Sequence, residues 1–194
     1  MIKIIDAPSF SRVKYDFSGV SFWNKVKFVL NNPPRLILTE DMRIELTNGT
    51  VIVIPKGFIT DGASVPRWFW AIPGFSPFGP LLEGGIPHDF FYQYGYFLTE
   101  YDEDIKYSAT EISIRNQYGL HVHYFHEDQE FGDKVLYETV KFSNGSSIIS
   151  TITYKVLRLF GHYAWDDYRV YGPSIYYENS LQIPGRSSTY GVIF

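Results

Sequence analysis

A chain of 194 residues with a formal charge of −4 is long enough for one domain with a substantial core, and nothing in its composition forces a second. It has no cysteine, which excludes disulfides and thiolate zinc sites and leaves stability to packing. The absence of a Lys/Arg cluster argues against nucleic acid or an anionic membrane surface as partner, and no apolar run approaches the ~20 residues of a membrane span.

In chain order, residues 1–34 form an N-terminal arm of short apolar groups broken by Pro, Ser and Asn. Asp6, Pro8 and Ser9 interrupt any signal-peptide layout, so the chain is expected to be made soluble, in the cytoplasm of its host. Asn31-Asn32-Pro33-Pro34 closes whatever Phe22 to Leu30 forms. From Arg35 the pattern sharpens into LILTE, MRIEL, Asn48-Gly49 and TVIVIP, an alternation on both sides of a two-residue hairpin signal. Pro55 ends the second strand, and Gly57-Phe58 leads straight into a polar turn carrying Thr60, Asp61 and Ser64, followed by Pro66 and Arg67. Ser64 is placed to cap a helical turn with Pro66 near its first position. After a Gly/Pro-rich loop, a helix begins at Leu81 or Ile86 and runs through about Tyr96, with His88 and Tyr92 stacked on one face.

Residues 97–127 read as a β-rich insertion, with a strand pair through Glu111 to Arg115 and Leu120 to Phe125. Asp128 is placed to cap a helix from Gln129 to Phe142, on which Asp133, Leu136, Tyr137 and Val140 follow the spacing of a buried stripe. Asn144-Gly145 breaks the chain before a longer helix ending near Arg169, with Gly161 as a candidate kink. From residue 170 the chain reads as a wrapping tail with a strand-like IYYE and a GVIF end. The expectation is a single α+β domain, an antiparallel hairpin or sheet packed against two or three helices.

A neutral imidazole held by a carboxylate can take a proton from water, and a second carboxylate nearby can hold a divalent cation. His88, Asp133 and Asp89 suit these three roles, with Tyr92 donating to Asp133. On a helix the adjacent His88 and Asp89 diverge by about 100°, so that one can face a water and the other an ion. The plainer alternatives stay open. Thr60-Asp61-Gly62-Ala63-Ser64 also reads as an Asx turn plus N-cap with Arg67 pairing Asp61. His88-Asp89 also reads as a helix start with the imidazole satisfied in the core. A rival metal cluster is His121, His123 and His126, whose spacing suits zinc, against a solvated hairpin edge.

The run HDFFY with a later Asp on a second helix resembles the helix pair of phospholipases A2. That resemblance implies His88 as general base, Asp89 as calcium carboxylate, Tyr92 with Asp133 as the supporting network, and Gly79 or Gly84-Gly85 as carbonyl donors; calcium is then the candidate cofactor ahead of zinc. The disulfides of that family are absent here. A second resemblance covers more of the chain. KGFITDGASVPRWFW, PHDFFY, the Asp of EFGDKVLYETV and LFGHYAWDDYR are together similar to the phage and prophage family called domain of unknown function 1353. This implies a phage-type protein and directs attention to Asp61, His88, Asp89 and Asp133. Three functions follow as expectations: a hydrolase-like His/Asp site acting on an ester such as a phospholipid, a non-enzymatic virion component assembling with other phage proteins, or a small effector binding a host protein or ligand.

Overall fold

The computed structural model describes residues 2–31, 35–62, 76, 78–100, 113–115, 121–123, 128–145 and 147–181, with backbone alone for 30–31, 113–115, 121–123 and 171–181. Among these residues two antiparallel sheets and four helices make the expected α+β architecture. The larger sheet has six strands in the order β1 (Lys3–Asp6), β4 (Met42–Glu45), β5 (Val51–Ile54), β7 (Phe97–Thr99), β9 (His121–His123), β8 (Ser113–Arg115). The smaller has β2 (Phe10–Arg12), β3 (Leu36–Leu38) and β6 (Ile59–Thr60). The helices are α1 (Phe22–Asn31), α2 (Leu82–Tyr94), α3 (Gln129–Asn144) and α4 (Ser147–Leu181).

The β4–β5 hairpin forms where alternation places it, with Glu45 opposite Val51. Its connection differs from the two-residue expectation. The Leu46 and Gly49 amides donate to the Thr50 and Leu46 carbonyls, at 2.8 and 2.9 Å, which leaves Thr47, Asn48 and Gly49 as a three-residue loop. Gly49 takes the left-handed conformation (φ 87°) that this loop requires after its first turn, and Asn48 Oδ1 accepts from the Thr50 amide.

The N-terminal arm is built into the fold. β1 borders the main sheet against β4, and Ile2 is buried in the core. A strand of four residues shows too few alternations to stand out in sequence. The segment read as an insertion is also divided: Phe97 and Leu98 are buried, and β7 pairs with β5 on one side and β9 on the other. Hence β8 and β9 extend the main sheet, in the register Ser113 opposite His123. In the tail, IYYE lies within α4 as helix instead of strand, while GVIF lies outside the described residues.

α2 is the centre of the molecule. Every residue from Gly84 to Gln93 is buried, so the helix has no solvent face, and its polar side chains must find protein partners. One side rests on the sheet through Ile86, Phe90 and Phe91, which share a core with Met42, Ile44, Ile52 and Phe97. The other side meets α3 closely: a Cβ at Gly84 would lie 2.6 Å from Val140 Cγ2. α4 closes over both, with the Trp165 ring stacked on Phe91 at 5.4 Å and set edge-on to Tyr92 at 5.3 Å. α2 ends at Gly95 and α3 at Gly145, each in the left-handed conformation. Asp128 occupies the α3 N-cap position but makes no side-chain cap bond, so its contribution there is its charge near the helix N-terminus.

Candidate functional site

α2 begins at Leu82, so His88 and Asp89 stand mid-helix and the alternative that placed Asp89 in a first turn does not hold. One helical turn separates His88 from Tyr92, and their rings lie 4.0 Å apart. Both reach the same atom: His88 Nε2 is 3.1 Å from Asp133 Oδ1, and the Tyr92 hydroxyl donates to it at 2.7 Å. Asp133 comes from the buried stripe of α3, with Leu136 and Val140, and is 0 % exposed. Its other oxygen accepts from Arg158 Nη1 of α4 at 3.0 Å. Gln129 Nε2, at the start of α3, donates to the Tyr92 hydroxyl at 2.9 Å. One carboxylate thus joins three helices, and its charge is offset by Arg158.

Asp89 diverges to the other side of α2, as adjacent positions on a helix must. Its Oδ2 accepts the Thr60 hydroxyl at 2.6 Å, and its Oδ1 lies 3.7 Å from His88 Nδ1. Thr60 Oγ1 also accepts the Gly62 amide at 2.9 Å, closing the turn that carries Asp61. β6 therefore delivers this turn to Asp89, as the run from the hairpin into Thr60 anticipated. Asp61 itself is half-buried.

Burial disfavours a charged His88, but the hydrogen bonds and negative charges of Asp133 and Asp89 outweigh it and hold the imidazole pKa above its ordinary value. Burial, together with the charge and hydrogen bond of Asp133, pushes the Tyr92 hydroxyl far above the usual tyrosine range, so it keeps its proton and donates it to that carboxylate while accepting from Gln129. When His88 is neutral and its Nε2–H donates to Asp133, the Nδ1 lone pair is left on the Asp89 side. That atom is the one able to take a proton from a water. His88 is only 3 % exposed and Asp89 6 %.

The fit of a cation rests on the oxygens beside Asp89. Thr60 Oγ1 donates to Asp89 Oδ2 and lies 3.4 Å from the Gly62 carbonyl, and oxygens are the ligand type that calcium takes. The set offers zinc no thiolate. Among the described residues no group of three or more His, Cys, Asp or Glu side chains is placed to hold a metal. Of the rival cluster, β9 carries His121 and His123 opposite Thr99 and Phe97, while His126 lies outside the described residues, as do Ser64 and Arg67.

Sequence reasoning placed His88, Asp89, Tyr92 and Asp133 together but missed Arg158 and Gln129, and it singled out Gly161 only as a kink. A Cβ at Gly161 would come within 2.5 Å of the Tyr92 hydroxyl and 2.6 Å of Gln129 Nε2, so its absence lets α4 lie directly on the network. The signal was available in part: Ser150, Thr153, Leu157, Gly161 and Trp165 recur at helical spacing, with Arg158 beside that line.

Fold and site define an α+β protein whose three packed helices share one buried His/Asp/Tyr network, with Asp133 paired to the exposed Arg158. The chain belongs to the family described as protein of unknown function (DUF1353), whose profile matches residues 36–156, more than half of the sequence. A curated relative, the uncharacterized protein y4jT of Sinorhizobium fredii (strain NBRC 101917 / NGR234), is 39% identical over 59 residues; these make up 30% of this chain and 17% of that protein. The match therefore spans less than a fifth of the relative's length. No solved structure matches the chain, and no helix among the described residues is long and apolar enough to cross a membrane.

Proposed function

We propose that this network is a hydrolase-like site in which His88 Nδ1 is the general base, Asp133 orients the imidazole, and Tyr92 fixes Asp133. The observation that carries the reading is the sharing of Asp133 Oδ1 by His88 Nε2 and the Tyr92 hydroxyl, which leaves Nδ1 turned toward Asp89. The same residue types in the same order underlie the resemblance to phospholipases A2, and an ester such as a phospholipid is the substrate class that resemblance favours. Asp89, with Thr60 and the Gly62 carbonyl, would hold calcium, which when bound supplies positive charge for an oxyanion. Arg158 offsets the charge of Asp133 and so moderates how strongly His88 holds its proton.

A second reading has its own supporting observation. His88 and Asp133 are nearly or fully closed from solvent and bonded to one another, as in a polar lock that fixes one arrangement of α2, α3 and α4. On that reading the protein is non-enzymatic, and the family resemblance points to a phage virion component.

Calorimetric titration with calcium and with zinc, on wild type, Asp89→Asn and His88→Ala, separates the two, with melting temperature followed alongside. The hydrolase reading expects calcium binding that is lost in Asp89→Asn and kept in His88→Ala, and ester hydrolysis that is lost in both. Absence of metal binding, with both variants melting well below wild type, would leave the polar lock.

A further inference from the structure

α4 lays one face on α2 and α3 and turns the opposite face to solvent. At about 100° per residue, Ile152, Leu159, Tyr163 and Val170 fall within a narrow arc on the side away from the buried Gly161. These residues are 41%, 65%, 66% and 72% exposed. Four large apolar groups in one line on a single helix are more than the scattered exposed residues an ordinary surface carries.

The spacing of the line is symmetric. Ile152 and Leu159 are seven residues apart, Leu159 and Tyr163 four, Tyr163 and Val170 seven, so the pattern reads the same in both directions about residue 161. Two exposed charges, Lys155 and Asp166, flank the line on one side, and they stand six residues before and five after that centre. We propose that this face of α4 pairs with the same face of a second copy of the chain, antiparallel and about a twofold axis near residue 161. In that arrangement Ile152 meets Val170 of the other copy, Leu159 meets Tyr163, and Lys155 comes beside Asp166, each contact occurring twice as an isologous interface demands. An anionic lipid surface would be met by a face rimmed with Lys and Arg, whereas the exposed charges nearest this line are Lys155, Asp166 and Asp167. The paired segment from Ile152 to Val170 is about 27 Å long at 1.5 Å per residue.

The inference is independent of the chemistry proposed for His88, because the pairing face lies opposite the one that touches the network. Analytical ultracentrifugation of the full chain at tens of micromolar tests it, with circular dichroism confirming that each variant is folded. A dimer is expected for wild type and a monomer for Leu159→Glu and for Tyr163→Glu. Lys155→Asp and Asp166→Lys should each weaken dimerisation by about three- to tenfold, and the double exchange should restore it. A monomeric wild type would overturn the proposal, as would a dimer indifferent to Leu159→Glu or a double exchange no better than the single ones. Binding of the monomer to phosphatidylglycerol vesicles, lost in Leu159→Glu, would assign the face to a membrane and overturn it equally.

Discussion

Replacing Gly161 by alanine puts a methyl group where α4 crosses the Tyr92 hydroxyl. The new Cβ would sit 2.5 Å from that oxygen and 2.6 Å from Gln129 Nε2, well inside van der Waals contact. Tyr92 cannot turn away without leaving Asp133, to which it donates at 2.7 Å, so the alternative is for α4 to lift from α2. Overpacking of this kind costs about 1–3 kcal/mol, and displacing a hydrogen bond to a charged group costs about 1.5–3 kcal/mol. Alanine returns about 0.8–1 kcal/mol of helix propensity over glycine. Together these give a net destabilisation of about 1.5–5 kcal/mol, or a melting temperature lower by about 4–13 °C for a chain of this size. The paired variant gives the sharper readout. In a Tyr92→Phe background the clashing oxygen is gone and Gln129 is released from it, so Gly161→Ala should cost less than half as much there, measured as a double-mutant cycle by urea unfolding. If Gly161→Ala melts at or above wild type, propensity alone is acting and α4 does not rest on Tyr92.

Other consequences follow from the same network. Asp133→Asn keeps the shape but removes the charge that balances Arg158 and His88; with Asp133 fully buried, a loss of about 2–4 kcal/mol is expected in urea unfolding, and a loss under about 0.5 kcal/mol would mean that the carboxylate is not the joint of the three helices. His88 has a folded-state pKa raised above its ordinary value, so the stability it contributes is full below about pH 6.5 and is lost as pH rises through the folded value. In metal-free buffer the stability difference between wild type and His88→Asn should therefore shrink from about pH 6.5 upward; a difference that grows with pH would refute the assignment of His88 as a charged partner of Asp133 and Asp89.

Much of the site was legible because helix geometry is local. Positions 88, 89 and 92 have fixed angular relations once α2 exists, and an aspartate on the apolar stripe of α3 demanded a partner. Asn48-Gly49 marked the hairpin, though not its loop length, which depends on whether Thr47 joins the turn or the ladder. β1 and β7 were missed for a common reason. Each is only four or three residues long, and Phe97-Leu98-Thr99 is buried on both sides, so it shows no alternation to distinguish it from the end of a helix.

The sequence alone determined the antiparallel hairpin, the presence of the three main helices with the break at Asn144-Gly145, and the fact that His88 and Tyr92 share a face while Asp89 diverges. These follow from periodicities of two and of 3.6 residues and from backbone preferences within a few positions. The tertiary structure decided which carboxylate oxygen His88 and Tyr92 share, that Arg158 completes Asp133 from a helix 25 residues further on, and that Thr60 holds Asp89 from 29 residues before it. Such partners are set by how closely α2, α3 and α4 approach, and that distance depends on packing between elements far apart in the chain, where Gly84 and Gly161 leave room for neighbours that no local pattern names.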